Sequence, residues 1–301
     1  SAFSAHYGVN RPNQLASAAA AMGFSALAIT DRDGLYGAIK HIGACIQSGV
    51  IPIVGVNLEV TADKSLGRVV ILAHGNNSGK GWATLCRIIS QAQEHRGKKK
   101  EISISITDLA RFFKDEANCT ILLGPESSLA DLALTSRSSA LKQLRQWHEN
   151  FPVPGSLAVE LVNHMTEPGT LGSALHANLM LELSRQVGIP AIITNAVRYI
   201  EPDGALTADI LDSARNLEAL GLFAPQPNAQ ASLKSWHQMA AIALEITEDA
   251  ARSVELLKAT ERLAEKCFLD PESDCGWNQP KTPEQSALGI TGNPFEVLWQ
   301  K

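Results

Sequence analysis

At 301 residues, 45% of them hydrophobic and 19% charged, the chain carries enough apolar material for one large or two modest globular cores. Its 26 Lys and Arg against 31 Asp and Glu give a net charge of -5. That balance argues against duplex binding by this piece alone, because gripping phosphates takes clustered positive charge. No stretch approaches the roughly 18 uninterrupted apolar residues of a membrane span, and no basic-then-apolar leader opens the chain.

In chain order, Pro12 to Met22 reads as a helix, with Ala16, Ala19 and Ala20 on one packing face, Pro12 early and Gly23 ending it. Apolar runs with the length of buried strands follow at Ala26 to Thr30, Ile51 to Val56, Arg68 to Ala73, Thr120 to Leu123, Ser156 to Leu161 and Pro190 to Thr194. Helix-period segments separate most of them, among them Trp82 to Gln93 and Leu175 to Val187, the latter stopped by Gly188. Repeated strand, helix, strand predicts a parallel sheet, since parallel neighbours need crossovers of about a dozen residues, and this many units can close into a barrel.

Chemistry in such folds sits at the carboxyl ends of the strands. The segments to watch are therefore Thr30 to Asp33, Asn57 with Glu59, His74, Gly124 to Glu126, His164 and Asn195 to Arg198. Beyond Asn216 the pattern changes to a loop punctuated by Pro225 and Pro227, then helices over Trp236 to Ile246 and Ala250 to Cys267. Asp270 to Pro283 reads as a linker and Asn293 to Lys301 as the opening of a further helix, while Lys98 to Lys100 reads as a solvated basic loop. This divides the chain into a barrel over residues 1–220 and a helical extension with linker over 221–301. The five cysteines, Cys45, Cys86, Cys119, Cys267 and Cys275, lack CxxC spacing and are odd in number. Buried free thiols in a reducing cytoplasm are expected.

Several motifs recur in a recognisable combination. Ser-Ala-Phe-Ser at 1–4 precedes Ile-Thr-Asp-Arg-Asp-Gly-Leu-Tyr-Gly at 29–37, followed by Ile-Pro-Ile-Val-Gly-Val-Asn-Leu-Glu-Val at 51–60. Arg-Val-Val-Ile-Leu-Ala at 68–73, Glu-Leu-Val-Asn-His at 160–164 and Ile-Thr-Asn-Ala-Val-Arg-Tyr at 193–199 complete the series. The combination resembles the PHP domain that opens bacterial C-family DNA polymerase alpha subunits, and it covers nearly the whole chain. The resemblance implies a PHP-type distorted (β/α)7 barrel with a C-terminal helical extension leading toward a polymerase palm. Because the sequence opens on Ser1 and not Met, a segment ahead of it is expected, holding the family's His-x-His pair.

In that family the strand ends bind a small cluster of divalent metals through imidazoles and carboxylates, and the metals supply hydroxide for phosphoester cleavage. Matched position by position, Arg32, Arg68 and Arg198 stand where the family carries histidine, Asn57 where it carries glutamate, and Tyr7 and Ala196 where it carries aspartate. Glu160 and His164 are kept, and are expected to form a structural pair or rim contact. Arginine stays protonated, so three guanidinium groups would stand where metals bind. The expectation is a domain with no catalytic residue, metal or cofactor of its own, with Asp31 and Asp33 neutralising the arginines or capping the following turn. Arg32, Arg68 and Arg198 could alternatively form an anion site.

The resemblance further implies a parent chain performing DNA-directed DNA synthesis with Mg, in replication or repair. Its expected partners are the palm and thumb of the same chain and a proofreading exonuclease subunit, with DNA met through the parent chain and no membrane. The alternative is an active metal-dependent phosphoesterase or 3′-5′ exonuclease.

Overall fold

The computed structural model describes residues 1–4, 6–94, 102–219, 222, 225–278, 292, 293, 296 and 299. From the N-terminus these build α1 (Pro12–Ala21), β1 (Ala26–Arg32), α2 (Ala38–Ser48), β2 (Ile51–Thr61), β3 (Ser65–Ala73) and α3 (Lys80–Glu94). There follow β4 (Ser103–Ser105), α4 (Ile106–Arg111), β5 (Cys119–Leu123), α5 (Ser128–Thr135), α6 (Arg137–Asn150), β6 (Leu157–Leu161), α7 (Ala174–Val187) and β7 (Ala191–Ile193). The remainder is helical: α8 (Gly204–Asn216), α9 (Trp236–Thr247), α10 (Ala250–Lys266) and α11 (Pro271–Cys275).

The strands form one sheet in the order β1-β2-β3-β5-β6-β7, with β4 on the side of β2, curled as a distorted α/β barrel. The sheet departs from the expected all-parallel arrangement at β3, which is antiparallel to both β2 and β5. The reason is local. Strand β2 runs on to Thr61 and only residues 62–64 separate it from β3, with the Ala62 N–H donating to the Lys64 carbonyl. That turn admits a hairpin and no crossover.

Side chains alternate along each strand, so one sequence furnishes two apolar layers. Val54, Val56, Ile71, Ile121, Val159 and Leu161 meet the surrounding helices in the main core, where Leu85, Ile88, Leu144, Trp147 and Met180 pack. Their neighbours Ile53, Leu72, Leu122, Ala158 and Ile192 turn the other way and meet Cys267 at the end of α10. Helices α9 and α10 share the main core through Ile242, Ala243, Ile246 and Leu256, so the extension beyond residue 220 packs with the strands and helices of the barrel in one core.

Asp270 to Asn278 is also no linker. Buried Asp274 accepts from the N–H groups of Asn76 (2.7 Å), Gly79 (3.0 Å) and Asp270 (3.0 Å), which ties α11 to the loop after β3. Trp277 packs over Gly43 of α2. Residues 279–283 of the expected linker, most of the Asn293 to Lys301 segment and the Lys98 to Lys100 loop lie outside the described residues.

Candidate functional site

A cavity of about 590 Å³ opens among the strands, with Ser1, Tyr7, Thr30, Asn57, Arg68, Glu126, Glu160, His164, Asn195, Ala196 and Arg198 at its polar end. Ser1 and Tyr7 come from the N-terminal loop and the others from the strands or the turns after them, with one inversion. Because β3 runs opposite to its neighbours, Arg68 near its start reaches this end, while His74, just past its finish, falls at the other. There His74 is buried, hydrogen-bonded to Thr120 and kept near a pKa of about 4 by burial. His41 is likewise buried away from the site, against the Leu27 carbonyl at 3.0 Å. His6 sits exposed on a turn with φ 55°.

The three arginines expected as a possible anion site each face a carboxylate instead. Arg32 pairs with Glu126, whose other oxygen accepts from Asn57 Nδ2 at 2.7 Å. Arg68 donates to Asn57 Oδ1 (2.6 Å), to the Asn57 carbonyl (2.8 Å) and to Asp33 Oδ1 (2.6 Å). Arg198 binds both oxygens of Asp212, at 2.6 and 2.9 Å, and the Tyr7 carbonyl at 2.9 Å. Asp212 also pairs with Arg215 at 2.7 Å.

Tyr7 lies between these cations. The Arg32 guanidinium carbon is 3.7 Å from its ring centroid, that of Arg198 4.1 Å and that of Arg215 5.4 Å, the geometry of a cation–π stack. Burial raises the Tyr7 pKa, aided by the Glu126 charge and opposed by Arg32 and Arg198, so the ring stays a neutral phenol.

Asp33 meets the expectation of neutralising an arginine, and Asp31 meets the other one, accepting from a backbone N–H at the following turn. Buried Asp31 accepts from the Ser1 amino group (2.8 Å), Ser4 Oγ (2.8 Å) and the Gly37 N–H (3.0 Å), and so holds the N-terminal loop and the start of α2. Glu160 and His164 take separate partners. Glu160 accepts from Thr194 Oγ1 at 2.7 Å, and burial pushes its pKa up to about 7. His164 Nε2 meets the Asn195 carbonyl at 2.9 Å, and burial lowers its pKa. Ala196 holds φ 41° in the left-handed region, a strained setting for a residue with a Cβ. Asp212 and Arg215 escaped sequence reasoning. Their i, i+3 spacing on α8 is visible in sequence, but the link to Arg198 is purely tertiary.

The model of the PHP domain family matches residues 1–164, more than half of the chain. The chain belongs to the PHP domain family. DNA polymerase III subunit alpha of Buchnera aphidicola subsp. Acyrthosiphon pisum is 27% identical over 83% of this chain and 21% of its own length. The Escherichia coli K12 protein of the same name is 29% identical over 86% of this chain and 22% of its own length. An error-prone DNA polymerase of Corynebacterium diphtheriae is 35% identical over 38% of this chain and 11% of its own. The chain thus spans about a fifth of the length of the first two relatives. The family match ends at His164, so Arg198 and Asp212 close the arginine cluster of this PHP domain from beyond the matched span. Among the described residues no helix is long and apolar enough to cross a membrane.

Proposed function

We propose that this PHP domain is a non-catalytic structural and docking domain at the N-terminal end of a C-family DNA polymerase chain. The observation that carries the reading is the closed network at the strand ends, in which Arg32, Arg68 and Arg198 are matched by Glu126, Asp33 and Asp212. A divalent metal cluster does not fit this donor set. Guanidinium groups occupy the positions between the carboxylates, they keep their charge at any working pH, and they already engage the oxygens a metal would need. His164 spends Nε2 on a backbone carbonyl, and Glu160, with a pKa near 7, is a weak anionic donor.

The relatives' printed names, DNA polymerase III subunit alpha and error-prone DNA polymerase, support the polymerase context. In this reading nucleotidyl transfer with Mg belongs to palm carboxylates outside these 301 residues. The domain packs on palm and thumb and offers a docking face for a proofreading exonuclease subunit, DNA is met through the parent chain, and the whole works in the cytoplasm. The test is a nuclease assay of the purified chain on single-stranded DNA with Mn or Zn added. No cleavage is expected, and chelator-sensitive cleavage that copurifies with the chain would overturn the reading.

A further inference from the structure

Helix α8 is amphipathic in the reverse sense for a surface helix. Its face toward the barrel is largely polar: Asp212 is held by Arg198 and Arg215, and Arg215 also donates to the His6 carbonyl at 3.0 Å, with Ala205 and Ala208 filling in against Tyr199. Its outward face is apolar. Leu206, Ile210, Ala214 and Leu217 follow one another at helical spacing and form a single stripe. Leu206 is 68% exposed, Ile210 45% and Leu217 93%, and Ala214 is exposed with them.

Surface helices ordinarily turn the apolar stripe to the core and the charges to water. Leu217 sharpens the contrast. As the C-cap of α8 it takes φ 57°, the left-handed conformation that glycine or asparagine usually supplies, and its side chain is almost wholly bare. Leu222, in the segment just beyond, is exposed as well.

The charges around the stripe have one sign. Between residues 201 and 218 the charged side chains are Glu201, Asp203, Asp209, Asp212, Arg215 and Glu218. Arg215 and Asp212 answer each other, which leaves the carboxylates of Glu201, Asp203, Asp209 and Glu218. Asp203 stands at one end of the helix and Glu218 just past the other, while Asp209 lies along a flank and accepts from the Gln226 N–H at 3.0 Å.

This rim selects the occupant. A second copy of the chain would set the same carboxylates against each other, which like charges at an interface oppose. The chain's own continuation leaves elsewhere: Asp274 pins residues 270–277 to the loop after His74, at the end of the barrel opposite to Arg198 and Asp212. A separate polypeptide with an apolar stripe between basic flanks answers both the stripe and its rim.

We propose that the outer face of α8 docks a basic amphipathic helix of a separate protein, whose apolar side chains interleave with Leu206, Ile210 and Leu217 and whose Lys or Arg residues face Asp203, Asp209 and Glu218. The mode is helix against helix, with anchors at i, i+4 and i+7 spacing, and the charges set orientation and register. A patch of this kind covers a few hundred Å². That is below the roughly 800 Å² per partner of a stable two-chain interface, so the contact is transient. The proposal rests on the reading of the domain as a docking module, and its test is separate from the nuclease assay, so the two can fail independently.

The test is fluorescence anisotropy of a labelled synthetic helix of about five turns, Leu and Ala along one face and Lys on both flanks, titrated with the 301-residue chain at low salt. Binding is expected with a Kd on the order of 10–100 µM, and a helix of the same design with Glu in place of Lys is expected to bind at least about tenfold more weakly. Leu206→Gln combined with Ile210→Gln keeps every charge and touches only exposed positions, so the urea midpoint stays where it was. It is expected to weaken the Lys-flanked helix by about tenfold or more, which separates the stripe from general attraction to a chain of net charge -5. Equal binding of the two helices would overturn the proposal. So would undiminished binding to the double variant, or no binding of the Lys-flanked helix at about 1 mM.

Discussion

Asp212→Ala is expected to destabilise the protein by about 3–5 kcal/mol, read as a fall in the urea midpoint with unchanged slope. Asp212 and its partner Arg198 have side chains only 8% and 9% exposed, so the pair is shielded from solvent. Removing the carboxylate leaves Arg198 as a buried cation whose other contacts are the Tyr7 carbonyl and ring, and releases Arg215 from the same carboxylate. The large penalty comes from this stranded charge and not from the worth of the pair itself. Arg198→Met combined with Asp212→Leu, which removes both charges, is therefore expected to recover most of the loss. If the single and double variants lose the same stability, the pair acts through shape and not through charge.

Glu160→Gln is expected to stabilise the protein above pH 7 and to leave it nearly unchanged below pH 4. Burial raises the folded-state pKa of Glu160 from 4.5 to about 7. Below the unfolded value both states hold the proton. As the pH climbs toward 7 the unfolded chain releases it and the folded one does not, so stability falls across that window and levels off beyond it. The difference between the two pKa values corresponds to something on the order of 3 kcal/mol at neutral pH and above. The check is the unfolding free energy of both proteins from pH 4 to pH 8. The two curves should diverge through this window; parallel curves would mean that Glu160 is ionised in the fold like an ordinary carboxylate.

Apolar runs in the sequence locate β1, β2, β3, β5, β6 and β7 to within about five residues, most plainly where β2, β5 and β6 are buried on both faces and read as continuous hydrophobicity. Strand β4 escapes, being Ser-Ile-Ser with a single buried residue and no period to detect. The direction of β3 escapes too. The run at Arg68 to Ala73 signals a strand, but only the three-residue turn before it encodes the reversal. That reversal is what carries Arg68 into the site and His74 out of it.

The site itself was legible where the motifs are contiguous. Arg32, Asn57, His164 and Arg198 are read directly from strand-end segments, Arg68 only from the motif resemblance, and the fold brings them to one end of the barrel. What the sequence withheld is how their charges are answered. Glu126 lies 94 positions from Arg32, and Asp212 comes from α8, a stretch with no strand-end signature. Nor could any local pattern show that Asp31 would bind the N-terminal loop in place of an arginine, since that choice depends on where Ser1 and Ser4 pass over β1.

The central claim is that the strand-end cluster of this PHP domain is held by arginine–carboxylate pairs in place of metals. Its most direct test is metal stoichiometry, by elemental analysis of the purified chain after dialysis against Zn, Mn and Mg in turn. The account predicts substoichiometric metal in every case, unchanged by Asp33→Asn or Glu126→Gln. One or more tightly held equivalents, lost on those substitutions, would contradict it.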